Sequence, residues 1–299
     1  MSLPHQIDCP VTASGKIPAW LTRRAVLSDE YRQLKDLLKQ SGLHSVCESA
    51  FCPNIYECFS QRHVTFMILG NICTRNCRFC GVTQGKPEPP EDDEPWRIAR
   101  AVAALNLAYT VITSVTRDDL PDGGASHFRA VTRAIKNSSV AKVELLLPDF
   151  QGKEESLHLV FDSEPDVIGH NLETVPSLYP RVRPGASYEI SLNVIRKIKK
   201  AGFLTKSSLM LGLGETQEEV SFVLKDLSRA GCDFLVLGQY LRPHPRAVPV
   251  KEYLPPEVFQ QYWKLAVEMG FKKVFAGPFC RSSYRAPECL AASEKNEKV

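Results

Sequence analysis

Long hydrophobic runs are missing from this 299-residue chain. Nothing approaches the about 18 consecutive apolar residues of a membrane-spanning helix, and the stretch Met1 to Ala50 lacks the apolar core of a secretory signal. Both absences predict a cytoplasmic protein with no membrane partner. Arg23 and Arg24 hint at an organelle transit peptide, but Asp8, Asp29 and Glu30 break the acid-poor composition that such a segment needs. An excess of one charge is missing too. The 37 basic and 34 acidic residues leave a formal net charge of +3, too balanced to argue for nucleic acid. There is no internal repeat, and a hydrophobic fraction of 43% with 24% charged residues describes an ordinary packed chain.

Cysteine, by contrast, is abundant. Ten cysteines in a reducing compartment call for an explanation other than structural disulfides, and metal binding is the natural one.

The pattern after Gly70 alternates short β-rich runs with helical periodicities, which predicts parallel strands joined by crossover helices. Strands are expected at Val64–Leu69, Tyr109–Val115, Lys142–Leu147, Asp166–His170, Leu204–Leu211 and Phe234–Gly238. Their near-continuous apolar character suits strands buried on both faces. A helix is expected over Asp29 to Gln40, with Tyr31, Leu34, Leu37 and Leu38 on one face and Gly42 at its end. Another should follow Pro95, turning Trp96, Ala99, Val102 and Ala103 inward. Thr216 with Glu219 reads as a capping box ahead of Val220, Val223, Leu224 and Leu227, with Gly231 as the stop. Helices at Ser191–Gly202 and Pro256–Gly270 each close on a glycine. The proline- and acid-rich stretch Gln84 to Glu94 reads as a loop, and the tail after Ala291 as frayed.

Six βα units are too few to close an eight-stranded barrel. The expected fold is therefore α/β, a partial (β/α)6 barrel of parallel strands with N-terminal and C-terminal extensions covering its mouth. Residues 1–62 form the first extension, 63–276 the barrel and 277–299 the C-terminal segment.

Directly after the first barrel strand stand Cys73, Cys77 and Cys80, three thiols within eight residues. Thiolates are the soft donors that hold iron–sulfur clusters, and three ligands leave one iron of a cubic cluster open to a small chelating molecule. Zinc is the rival, but a closed structural zinc site needs four ligands. Upstream lies a second triplet, Cys47, Cys52 and Cys58. Read from its residues alone, it fits a second cluster or a zinc site completed by His44 or His63. Cys9, Cys232, Cys280 and Cys289 join neither triplet, and single cysteines are more often small packing residues.

The C-x3-C-x2-C loop, with Phe79 at the aromatic position before its last cysteine, resembles the signature of radical S-adenosylmethionine (SAM) enzymes. The preceding C-x4-C-x5-C triplet and Arg281-Ser282-Ser283-Tyr284 near the C-terminus resemble the lipoyl synthase family more narrowly. Stretches at 114–124, 170–174, 181–184 and 211–216 match as well, so the likeness spans about residues 44 to 286. It implies two 4Fe-4S clusters, one held by Cys73, Cys77 and Cys80 and open to SAM. The auxiliary cluster would be held by Cys47, Cys52, Cys58 and Ser283. Phe79, Asn171 and Glu173 are candidate cofactor-binding residues, the last two as SAM contacts. At Gly123-Gly124 many radical SAM enzymes continue with glutamate, and here Ala125 follows.

The resemblance further implies that reductive cleavage of SAM yields a 5′-deoxyadenosyl radical. That radical abstracts hydrogen at C6 and then C8 of a protein-bound octanoyl-lysine, and the auxiliary cluster donates the two sulfur atoms of the lipoyl group. Radical chemistry suits carbons that offer neither an acidic proton nor a leaving group. The implied partners are octanoylated lipoyl-carrier domains (E2 subunits of 2-oxoacid dehydrogenases and the glycine cleavage H protein), an electron donor and a cluster-repair system. Arg181, Arg183, Arg242 and Arg246 are candidates to meet an acidic carrier, against the default of solvated surface arginines. The rivals are an RNA methylthiotransferase, which would carry an appended basic module, a zinc-binding interaction protein, and a simple iron–sulfur electron carrier.

Overall fold

Ser28 accepts a hydrogen bond from the Tyr31 N–H and opens helix α1 (Asp29–Gln40), which buries Tyr31, Leu34 and Leu38. Gly42, at φ +59°, ends it. The left-handed conformation costs glycine nothing and lets the chain leave the last helical turn. In this computed structural model, residues 17–23 and 25–296 are described. Arg24 and Cys9 lie outside the described residues.

The described chain divides into two compact units, one formed by 23–76 and 81–166 and the other by 17–22, 77–80 and 167–296. In the first, α1 is followed by β1 (His44–Ser45), α2 (Val46–Ser49), α3 (Ile55–Ser60), β2 (Thr65–Ile68), β3 (Ile72–Cys73) and β4 (Thr83–Gln84). Then come α4 (Glu94–Ala104), β5 (Tyr109–Ser114), α5 (Ala125–Ser138), β6 (Lys142–Leu146) and α6 (Glu154–Phe161). Strand β2 pairs parallel with β5 (Thr65 opposite Val111), and β5 parallel with β6 (Tyr109 opposite Lys142). β1 adds antiparallel to β2, while β3 and β4 form a separate parallel pair.

The second unit holds β7 (Val167–Gly169), α7 (Tyr179–Val182), α8 (Tyr188–Lys200), β8 (Leu204–Leu211), α9 (Gln217–Arg229), β9 (Phe234–Gln239), α10 (Pro256–Glu268), β10 (Lys273–Gly277) and α11 (Pro287–Asn296). Its strands pair in parallel in the order β7-β8-β9-β10. Every residue of β9 is buried, and α9 packs Val220, Val223, Leu224 and Leu227 inward. Each such side chain contributes about 1.5–3 kcal/mol. The capping box at Thr216 and Glu219 is formed.

Several expectations are corrected. Trp96 is 60% exposed and Ala103 is exposed, whereas Pro95, Ile98, Ala99, Ala101 and Val102 form the buried face of α4. Trp96 lies two residues, hence about 200°, around the helix from Ile98 and so falls on the outer side. The parallel strand β10 and the helix α5 escaped the sequence reading. The apolar core of β10 is short, and α5 interleaves Ser126, Arg129 and Arg133 with its buried Phe128, Val131 and Ile135. The C-terminal helix continues past Ala291 to Asn296 where fraying was expected, and 297–299 lie outside the described residues. No helix among the described residues is long and apolar enough to cross a membrane.

Candidate cluster-binding site

Two short helices bring the upstream triplet together. Ser45 caps α2, its hydroxyl accepting from the Glu48 N–H and donating to the Glu48 carboxylate. Cys47 thus sits in a defined first turn. Phe51 then turns the chain at φ +51°, the Cys52 N–H donates to the Cys47 carbonyl (3.0 Å), and the Cys58 N–H in α3 donates to Asn54 (2.8 Å). All three thiols are partly exposed.

Their chemistry shows the convergence. Burial raises the pKa of the Cys47 thiol, and the charges of Cys52 and Cys58 raise it further, while hydrogen bonding from Thr65 opposes them. Cys58 is pushed up to about 12 by burial, then by Cys52 and Glu57, against Arg23. Cys47 and Cys58, kept protonated first by burial and then by the charge of Cys52, form with Cys52 a donor set suited to a polycationic iron core, which would neutralise them as thiolates. No three His, Cys, Asp or Glu side chains among the described residues stand close enough to share a single ion. A cubane spreads its ligands over separate iron corners, so the ligands of a cluster need not stand as close together as those of a lone ion.

Cys73 ends β3. Its Sγ accepts backbone hydrogen bonds from Thr116 (3.3 Å) and Arg75 (3.4 Å). The Arg75 guanidinium reaches both Asp118 and Asp149. In the second unit, the Cys80 N–H donates to the Cys77 carbonyl (3.0 Å), Arg78 N–H donates to Val182 (2.9 Å), and the Arg78 carbonyl accepts from Val248 (2.8 Å). Phe79 packs against the buried cluster of Val182, Leu213, Tyr240 and Val248. The aromatic before the last cysteine therefore anchors this half of the loop.

Gly123 (φ +65°) and Gly124 (φ +91°) form the turn into α5, where Asp122 accepts from the Gly124 and Ser126 N–H groups. A Cβ at Gly124 would stand 2.3 Å from Leu69. Ala125 is fully buried in the first turn of α5.

Beyond β7, Glu173 is held at φ +67° by an exchange with β8, its N–H donating to Ser208 and its carbonyl accepting from Met210. Asn171 Nδ2 donates to the Glu173 carboxylate (3.0 Å), and Asn171 Oδ1 accepts from Ser282 Oγ (3.1 Å). Burial raises the Glu173 pKa, against Arg183, Asn171 and Arg281, which favour the anion. The Arg281 segment is set by a close approach at the end of β9. A Cβ on Gly238 would meet the Cys280 carbonyl at 2.1 Å, and that same carbonyl accepts from Arg281 Nη1 (2.7 Å).

Arg183 is not a surface docking residue. It is 8% exposed and donates to the Asn171 and Leu172 carbonyls and the Tyr179 hydroxyl. Arg181 donates to the Leu213 carbonyl and Arg242 to Ala247, while Arg246 is exposed. Cys232 and Cys289 are packing residues, buried at 5% and 0% exposure. Sequence reasoning missed the Arg75–Asp118–Asp149 cluster and the Ser282–Asn171 bond. The one available signal was that each partner lies just beyond a strand end.

The radical SAM superfamily profile matches residues 67–227. The chain is 52% identical to a lipoyl synthase from Caldanaerobacter subterraneus subsp. tengcongensis over 271 residues, 90% of this chain and 95% of that protein. A lipoyl synthase from Chlorobium phaeovibrioides is 51% identical over 93% of this chain and 97% of its own. Among solved structures, SuiB of Streptococcus suis bound to S-adenosylmethionine superposes with a TM-score of 0.58 at 12% identity, covering 86% of this chain and 67% of that one. Methylornithine synthase gives 0.52 at 13% identity over 83% and 82%. At these identities the likeness shows the fold, an α/β partial barrel of the radical SAM type.

Proposed function

The chain belongs to the lipoyl synthase family of the radical SAM superfamily, and from that premise we propose the residues and reaction that follow. It is a radical SAM sulfurtransferase that converts a protein-bound octanoyl-lysine to the lipoyl group by inserting sulfur at C6 and C8. Its cofactors are two 4Fe-4S clusters and SAM, which when bound supply the electron, the 5′-deoxyadenosyl radical and the sulfur that this chemistry needs.

The protein's own part is to hold and orient. Cys73, Cys77 and Cys80 would ligate the cluster that meets SAM, and Phe79 would fix the last turn of that loop by packing. Cys47, Cys52, Cys58 and Ser283 would hold the auxiliary cluster. Ser282 is committed to Asn171, which leaves the adjacent Ser283 as the serine assigned to the cluster. A hydroxyl oxygen is a harder donor than thiolate and gives a corner that opens more readily. Asn171 and Glu173 would contact SAM, Asn171 being oriented from both sides by Glu173 and Ser282. Residues 1–62 would serve as the auxiliary-cluster extension, 63–276 as the barrel and 277–299 as the segment bearing Ser283.

Octanoylated lipoyl domains are the substrates. E2 subunits of 2-oxoacid dehydrogenases and the glycine cleavage H protein would be their carriers, in the cytoplasm, with a separate electron donor and a cluster-repair system.

The observation that carries this reading is 52% identity to a lipoyl synthase over 90% of this chain and 95% of that protein, with Cys47 and Cys58 both facing the charge of Cys52. It is tested by incubating reconstituted protein anaerobically with an octanoyl-lysine peptide, SAM and a strong reductant, followed by mass spectrometry. Gain of two sulfur atoms with release of 5′-deoxyadenosine is expected. Release of 5′-deoxyadenosine without sulfur gain would sink the substrate assignment.

A further inference from the structure

Arg75 lies inside the Cys73–Cys80 loop, yet its side chain serves neither solvent nor a neighbouring helix. Nε and Nη2 donate to the two oxygens of Asp118 (2.6 and 2.9 Å), and Nη1 and Nη2 donate to the two oxygens of Asp149 (2.7 and 2.7 Å). The side chains of Arg75 and Asp149 are only 9% and 2% exposed. Asp118 follows β5 and Asp149 follows β6, so one planar fork ties the loop to the ends of two adjacent parallel strands. Thr74 adds a second tie. Its N–H and hydroxyl both donate to the Thr116 carbonyl (3.0 and 2.9 Å), and its Oγ1 accepts from the Asp118 N–H (3.1 Å).

A buried arginine between two carboxylates is a poor way to gain stability, because desolvation offsets much of the attraction. It does fix geometry, since the guanidinium fork accepts few arrangements. The geometry fixed here is that of the Arg75 and Thr116 N–H groups, which converge on Cys73 Sγ at 3.4 and 3.3 Å.

We propose that Arg75 is a positioning residue which, through its clamp on Asp118 and Asp149, aims two backbone N–H groups at Cys73 Sγ and so raises the reduction potential of the cluster bound by this loop. The inference rests on the assignment of Cys73, Cys77 and Cys80 as that cluster's ligands. Hydrogen bonds to a ligand sulfur favour the more electron-rich reduced state, and they are one of the terms that set cluster potential. Releasing the loop weakens them and makes reduction harder, without removing a ligand.

The test is a midpoint potential, measured by redox titration followed by electron paramagnetic resonance. The parent carries Cys47→Ala, Cys52→Ala and Cys58→Ala, so that a single cluster reports. Arg75→Lys keeps the charge and loses the fork; Thr74→Val removes the two hydroxyl bonds of the second tie with no change of charge. With iron and sulfide content equal to the parent's, both variants should titrate at more negative potential, Arg75→Lys by the larger shift. A loaded variant pair that titrates with the parent overturns the proposal. If Arg75→Lys fails to load, Thr74→Val alone decides. Retention of the cluster by Cys73→Ala would instead overturn the ligand assignment, a result distinguishable from an unmoved potential.

Discussion

Ser282 Oγ donates a hydrogen bond of 3.1 Å to Asn171 Oδ1, joining the Arg281-Ser282-Ser283-Tyr284 segment to the turn after β7. Adjacent serines therefore have separable tasks. Ser282→Ala should keep the auxiliary cluster and weaken SAM binding about 5-fold, the effect of one hydrogen bond of about 1 kcal/mol. Ser283→Ala should leave SAM binding unchanged and abolish sulfur insertion. Equilibrium SAM binding together with iron and sulfide analysis distinguishes the two, and the assignment of Ser283 fails if its variant retains full product.

The two cysteine triplets should separate in the same way. Cys52→Ala removes the thiol whose charge raises the pKa of both Cys47 and Cys58, and it is expected to cleave SAM while making no thiolated product. Cys77→Ala should do neither. Counting 5′-deoxyadenosine against product sulfur checks both, and full product from Cys52→Ala would exclude a sacrificial auxiliary cluster.

Glu173 sets a conflict between stability and binding. Burial lifts its pKa above the ordinary 4.5, because removal from water disfavours the carboxylate more than Arg183, Asn171 and Arg281 restore it. A raised folded-state pKa means that the neutral acid's advantage is complete below 4.5 and is lost as the pH rises through the folded value. Glu173→Gln should therefore unfold at higher temperature than the parent near neutral pH. That difference should shrink as the pH falls toward 4.5 and vanish below it. The same variant should bind SAM more weakly. Thermal unfolding of cluster-free protein across this range is the measurement, and a difference independent of pH would refute the assignment of the shift to Glu173.

Helix α1 was legible to its first and last residue, Asp29 and Gln40, because a periodic apolar face and a terminating glycine are both local signals. The capping box before α9 was legible for the same reason. Strands β5, β6 and β8 could be read from their apolar runs. The face of α4 was not: tryptophan's apolar bulk outweighed the helical phase that places Trp96 outside.

The sequence by itself determined which thiols are available and in what spacing, since cysteines within a few residues of one another must share a loop whatever the rest of the chain does. It also determined the family, because about half of all positions agree over nine-tenths of the chain. Only the tertiary structure decided how those loops are held. The partners of Arg75 lie 43 and 74 residues away, and Ser282 and Asn171 are 111 apart. No local pattern encodes such pairs. They meet because, within each unit, parallel strands joined by crossover helices deliver their βα loops to the same end of the strands, so distant residues become neighbours through strand register, not sequence spacing.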